Sequence, residues 1–244
     1  MNILLVGSLG KMAKNIKEIA CENDTKIIAE IDKNCVLFNQ VKSQKNDKNF
    51  NSKIFATFED LPQSLINKID VVLDFSNPEI LKDEIAFCLL NKFPLVLCTT
   101  GHNETNWALI KDSSKHIPIF VSANASFGIN LISNILAKYV DFLKCYEIDI
   151  VESHHKTKID SPSGTAKEFA KILSQYSPTT HSIRAGEIVG THDIILTSQY
   201  EQITISHKAF DRKLFAKGAL DICHFMHNNL PAKLYTMSDI FSHQ

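Results

Sequence analysis

Short apolar runs alternate with amphipathic segments through the first half of the chain, the pattern of a parallel sheet covered on both faces. The runs that predict strands are Asn2–Val6 (NILLV), Lys26–Ile31 (KIIAEI), Lys53–Phe58 (KIFATF), Asp70–Phe75 (DVVLDF), Pro94–Thr100 (PLVLCTT) and Ile117–Ser122 (IPIFVS). Helical patterns fill the gaps at about Lys11–Glu22, Asp60–Asn67, Pro78–Asn91 and Asn103–Lys115, each opening on polar or proline residues that suit a cap or a first turn. Asn39–Lys53 has no periodicity and little aliphatic content, so a mobile surface loop is expected there.

The pattern changes after Ala123. A helix over Gly128–Leu143, a strand over Tyr146–His154, a helix after the DSPSGTA segment and alternating strands over Asp193–Tyr200 and Gln202–Ala209 predict a second, α+β unit. An amphipathic helix over Asp211–Asn228 and a short tail then close the chain, and the tail is expected to return to the first unit. The expected fold is α/β: a Rossmann-like, doubly wound parallel sheet formed by residues 1–124 and 212–244, with residues 125–211 as the α+β domain.

Composition narrows the partners. The 244 residues are 44% hydrophobic, enough for a real core, and 26 Lys and Arg balance 27 Asp and Glu. With no global field to attract nucleic acid or an anionic membrane, a charged ligand must be held by a local cluster, which points to small molecules. The six cysteines are scattered without a Cys-x-x-Cys pair, and the apolar run at the start is too brief for a signal segment or membrane span, so a reducing cytoplasm is expected.

The turn VGSLGKMA lies between the first strand and first helix, where a dinucleotide fold places its phosphate turn. Helix-opening amides and the positive end of the helix dipole favour a pyrophosphate, and Gly7 and Gly10 let the backbone approach it. The spacing is G-x-x-G-x-x-A, with Leu9 and Ala13 in place of the second and third glycines of the usual fingerprint. A tight turn without a ligand is the plainer reading, but Asp32 ends the second strand where a carboxylate accepts from adenosine ribose hydroxyls. Lys33 follows it and is either a solvated strand end or a cation for a 2′-phosphate. CTTG and SANAS lie past the ends of two later strands, at the rim where a nicotinamide would lie.

The segment ESHHKTKIDSPSGTA, residues 152–166, reads as a metal site, a solvated loop or an acid-base centre beside an anion pocket. Adjacent histidines on a strand face opposite ways, and His-Glu-x-x-His and His-x-His spacings do not occur, so no metal site is expected. Ser161 suits an N-cap and Pro162 a first helical position, which would leave the amides of Ser163, Gly164 and Thr165 to receive an anion. His154, His155 and Lys158 bring protonatable groups to the same place.

GSLGKMA, DVVLDFSNPE, CTTG, ANASFGIN, ESHHKTKIDSPSGTA, IRAGEIVG and ISHKAFDRKLFAKGAL together, in order and over nearly the whole chain, resemble the dihydrodipicolinate reductase family of the bacterial diaminopimelate and lysine pathway. The resemblance implies a nucleotide domain completed by the C-terminal helix, and a second domain that binds a dicarboxylate substrate and builds a homotetramer. It implies NADPH and NADH as reductants. Gly7, Ser8, Leu9, Gly10, Lys11 and Met12 would hold the pyrophosphate, Asp32 the ribose and Lys33 the extra phosphate of NADPH. Cys98, Thr99 and Thr100, with Ser122, Ala123, Asn124 and Ala125, would line the nicotinamide. His154 and Lys158 would form the acid-base pair, and His155, Gly164 and Thr165 would bind substrate.

The chain departs from the family pattern at Cys98 (usually glycine), at Ala125 (commonly aromatic) and in a shortened segment before Arg184. Two other readings compete: an amino-acid dehydrogenase on the same fold, which leaves the His-His-Lys set and helix opening less well explained, and a nucleotide sensor without turnover.

Overall fold

The computed structural model describes residues 1–22, 24–35 and 52–242. Residues 39–51 of the expected surface loop lie outside that range. The chain divides into two compact units, Met1–Ala125 with Phe215–Gln244, and Ser126–Leu214.

The first unit is built on a parallel sheet of β1 (Asn2–Val6), β2 (Lys26–Ile31), β3 (Lys53–Phe55), β4 (Val71–Asp74), β5 (Leu95–Leu97), β6 (Ile119–Val121) and β11 (Leu234–Tyr235). Their order is β11-β6-β5-β4-β1-β2-β3, so the winding reverses between β1 and β4. Open sheets of this kind bind ligands at the carboxyl ends of the strands beside that reversal. Ile3–Val6 and Val71–Leu73 are fully buried, which is why both strands read as unbroken apolar runs instead of alternating ones.

Several predicted elements are shorter than the pattern implied, two of them for a visible local reason. The helix expected over Asp60–Asn67 covers only Gln63–Ile66, because Asp60 Oδ2 accepts from both the amide and hydroxyl of Thr57 and holds the preceding residues in a turn. The segment from Pro78 starts as a 3₁₀ turn, Pro78–Ile80, capped by Asn77 Oδ1 accepting from the Glu79 amide at 2.9 Å, before the helix Leu81–Asn91. In the tail, Leu234 and Tyr235 pair with Ile119 and Phe120 as the edge strand β11.

Glu84 on the helix Leu81–Asn91 faces this apolar core, fully buried, with neither carboxyl oxygen hydrogen-bonded to protein. Burial, with Asp74 nearby, pushes its carboxyl well above the usual range. A raised carboxyl contributes stability that is present at low pH and lost as pH rises through the folded-state value. Glu84→Leu is therefore expected to stabilise the protein by about 1–3 kcal/mol at neutral pH, with a smaller gain at pH 4, measured by denaturant unfolding at both.

The second unit has a mixed sheet in the order β10-β9-β7-β8, from β7 (Glu147–His154), β8 (Thr179–Arg184), β9 (Gly190–Thr197) and β10 (Gln202–Ala209). The helices Phe127–Tyr139 and Gly164–Ile172 cover one face, packing Ile129, Leu136 and Phe169 against Ile148, Ile150, Ile194 and Leu196. β8, in the segment SPTTHSIR, is a strand that the sequence pattern did not predict. The architecture is thus the doubly wound parallel sheet with a second α+β unit.

Candidate active site

In the first unit, Gly7 turns the chain out of β1 with φ of 80°, and a Cβ there would lie 2.6 Å from the Phe75 carbonyl oxygen, so only glycine fits. The turn is held by Gly7 donating to Ile31 O and Gly10 donating to Gly7 O, at 2.9 and 3.0 Å. Asp32 secures it from β2: Oδ2 accepts from the Leu9 amide at 3.0 Å and Oδ1 from Asn34 at 3.0 Å. Next to the turn is a cleft of about 490 Å³ whose lining includes Gly7, Gly10, Asp32, Lys33, Ser76 and Glu79. Ser8 is buried and its hydroxyl has no protein partner, whereas Lys11 is exposed at the helix start and Met12 half-buried beside it. An open cleft, a glycine that cannot be substituted and a helix opening toward it fit a dinucleotide.

Cys98, Thr99 and Thr100 continue β5, and Ser122, Ala123, Asn124 and Ala125 continue β6, its neighbour in the sheet. The two loops are therefore adjacent at one rim. Ser122 donates from its amide to Leu97 O at 3.0 Å and from its hydroxyl to Asn124 O at 2.8 Å. Cys98 is buried, and burial pushes its thiol well above the ordinary range, so it packs as a small apolar group.

In the second unit, the two-residue period of β7 puts Glu152 and His154 on the same face as Ile148 and Ile150. Glu152 is fully buried and ringed by donors. Arg184, at the end of β8, grips it with both terminal nitrogens, at 2.7 and 2.9 Å. His154 Nδ1 lies 2.5 Å from Oε2, and the Ser163 amide donates to Oε1 at 3.2 Å. Burial alone would raise the Glu152 carboxyl, but the hydrogen bonds from Arg184, Ser182 and His154 hold it down to about 2.

His154 therefore faces a permanent carboxylate through Nδ1. Burial still dominates its titration and lowers its pKa below 6.5 against the opposing pull of Glu152. At neutral pH the imidazole is uncharged, with its Nδ1 hydrogen on Glu152 and Nε2 open to accept. Gly190 passes close to the ring: a Cβ there would sit 3.1 Å from His154 Nε2.

Opposite Glu152 on β9 is His192, also buried. Its Nε2 lies 3.0 Å from Ser163 Oγ and its ring meets His154 edge-on at 5.2 Å. Burial first, then the His154 neighbour, lowers it to about 4.

Beyond β7 the chain turns. The Lys158 amide donates to His155 O at 3.1 Å, and its ammonium pairs with Asp160 at 2.7 Å. His155 Nδ1 meets Thr157 Oγ1 at 2.8 Å, while Nε2 accepts from Arg212 at 3.2 Å.

The helix that follows starts later than its sequence implied. Ser163, not Ser161, is the N-cap, its Oγ accepting from Ala166 at 3.3 Å, and Gly164 is the first helical residue. The Ser163 amide is committed to Glu152, so it leaves the expected anion-binding set. Gly164, which is exposed, and Thr165 follow as the first two helical residues. The sequence pattern assigns no working role to Glu152, Arg184 or His192. The available signal for His192 was its place at two-residue spacing before Ile194 and Leu196 on an inward face. Among the described residues, no cluster of three or more His, Cys, Asp or Glu could hold a metal ion.

Comparison with known proteins decides the family. The model for the N-terminus of dihydrodipicolinate reductase matches residues 1–125, and that for its C-terminus matches residues 128–241. The chain belongs to the dihydrodipicolinate reductase family. A 4-hydroxy-tetrahydrodipicolinate reductase of Clostridium botulinum (strain Eklund 17B / Type B) is 40% identical, covering 98% of both chains. The Clostridium tetani enzyme of the same name is 39% identical over 97% of this chain and 95% of its own. A dipicolinate-bound dihydrodipicolinate reductase from Paenisporosarcina sp. TG-14 superposes with a TM-score of 0.80 at 20% identity, over 97% of each chain. An aspartate dehydrogenase from Thermotoga maritima shares the fold more loosely, with a TM-score of 0.53 at 13% identity, covering 94% of this chain and 98% of its own.

Proposed function

We propose that this chain reduces 4-hydroxy-tetrahydrodipicolinate to tetrahydrodipicolinate with NADPH or NADH, in diaminopimelate and lysine biosynthesis. The observation that carries this reading is the buried carboxylate of Glu152, which ties the His154 imidazole to the opening of the helix at Ser163. An acid-base histidine and an anion-binding helix start are thereby fixed to one point. The amino-acid dehydrogenase alternative gives no account of that arrangement.

In this reading a bound reduced nucleotide would supply hydride for ring C4 of the substrate, after the substrate's hydroxyl is lost as water. Gly7, Ser8, Leu9, Gly10, Lys11 and Met12 would hold its pyrophosphate, Asp32 its ribose, and the loops Cys98–Thr100 and Ser122–Ala125 its nicotinamide. One substrate carboxylate sits at the start of the helix that Gly164 and Thr165 open, with His155 beside it. Neutral His154 accepts a proton at Nε2, and the Lys158 ammonium, released from Asp160, donates one. Orienting the ring between fixed groups accounts for much of the rate.

The test follows reduced-nucleotide absorbance while the condensation product of pyruvate and aspartate semialdehyde is generated in place by its synthase. Oxidation that requires the synthase supports the reading, and oxidation of an amino acid with NAD⁺ in its place rejects it. Gly164 gives a second test. A Cβ at this position meets no atom within 4 Å in the protein, and alanine suits the start of a helix. Gly164→Ala is expected to fold normally and to raise KM for the diacid about tenfold with little change in kcat, the mark of lost ground-state binding.

The second unit also carries the proposed homotetramer. Its sheet is covered by helices on one face, while the other carries Val151, Ile183 and Ile195, with Ile183 48% exposed. Light scattering of the purified protein would show four copies.

A further inference from the structure

The cleft beside the glycine turn has a charge pattern that bears on which nucleotide it prefers. Among the described residues lining it, the carboxylates are Asp32, Glu59, Glu79 and Asp83, and the single cation is Lys33. The Lys33 ammonium, the group available to a 2′-phosphate, is paired with Glu79 Oε2 at 2.8 Å. Glu79 is held at the rim by its own backbone, since it lies in the Pro78–Ile80 turn capped by Asn77. Asp32 adds a carboxylate directly before Lys33, with its oxygens anchored to the Leu9 and Asn34 amides.

We propose that Glu79 is a specificity-determining residue that turns this cleft against the 2′-phosphate of NADPH and toward NADH, by occupying Lys33 and by adding negative charge at the rim. The proposal rests on the nucleotide reading of the first unit given above and goes on to say which nucleotide that unit selects. A 2′-phosphate brings up to two negative charges. The excess of carboxylates among the described lining residues repels it over distances up to the screening length of ~8 Å at physiological salt. To pair with Lys33 it must first displace Glu79. The unphosphorylated ribose meets neither obstacle, and its hydroxyls have Asp32 as an acceptor.

Calorimetric titration of the purified protein with NADP⁺ and with NAD⁺ tests this without depending on turnover. The native protein is expected to bind NAD⁺ more tightly. In Glu79→Gln the affinity for NADP⁺ should rise about tenfold, with the gain confined to the phosphorylated nucleotide. Raising the salt concentration should narrow the native protein's discrimination. Adding Lys33→Ala to Glu79→Gln should cancel most of the gain, because the released ammonium is the group that receives the phosphate. Equal shifts for both nucleotides in Glu79→Gln, or native binding that favours NADP⁺, would overturn the assignment to Glu79 while leaving the nucleotide site in place. Failure of both nucleotides to bind native protein would remove the site and the proposal together.

Discussion

Lys158→Ala is expected to lower turnover by about 10²–10⁴-fold, the range for loss of an acid-base group. The geometry explains why the loss should be that large with His154 still present. His154 has its Nδ1 hydrogen committed to Glu152 and its pKa lowered by burial, so at neutral pH it can accept a proton at Nε2 but has none to give there. In the proposed mechanism donation falls to Lys158, whose amide is bonded within the turn and whose ammonium pairs with Asp160. Because the missing contribution belongs to the chemical step, kcat should fall further than KM rises. The pH profile gives an independent check: protonating His154 removes the base, so kcat/KM in the native enzyme should fall on the acid side with an apparent pKa below 6.5. A near-normal kcat in Lys158→Ala would contradict the assignment.

Arg184→Ala is expected to destabilise the protein by about 3–5 kcal/mol, the cost of leaving a buried charge without its partner. Glu152 is fully buried, and Arg184 supplies two of its donors. The loss should depend on pH. A carboxyl held at about 2, below its unfolded value of 4.5, contributes stability that is present above 4.5 and lost as pH falls toward 2. Removing Arg184 takes away the largest of the contributions that lower it. The variant's deficit should therefore be greatest near neutrality and shrink on acidification, when measured by urea unfolding across that range. Arg184→Lys, which keeps a cation but not the two-pronged grip, should recover part of the loss. A deficit under about 1 kcal/mol at neutral pH would mean that the pair is a surface-like contact.

Much of this was legible in the residues. β1, the helix Lys11–Glu22 and β2 have the bounds read from hydrophobic pattern, because a fully buried parallel strand must be apolar throughout and the helix after it must be apolar on one face. β8 was not legible. TTHSIR is exposed at four of its six positions, and with a single aliphatic residue it offers no two-residue pattern; pairing with β7 makes it a strand. The helix start was misplaced for a different reason. Ser161 and Ser163 flank the same proline and both suit a cap, and the choice is made by Glu152, eleven residues earlier, which binds the Ser163 amide. Pairings of that kind come from the register of β7 against its neighbours. The same register places Arg184 beside His154 and sets His192 across from Glu152.

A crystal structure of the protein soaked with dipicolinate, the diacid bound in the Paenisporosarcina relative, would test the central arrangement. The account predicts a carboxylate oxygen within about 3 Å of the helix start at Gly164, with His154 Nε2 and the Lys158 ammonium facing the ring. A well-ordered diacid bound away from the start of that helix would contradict it.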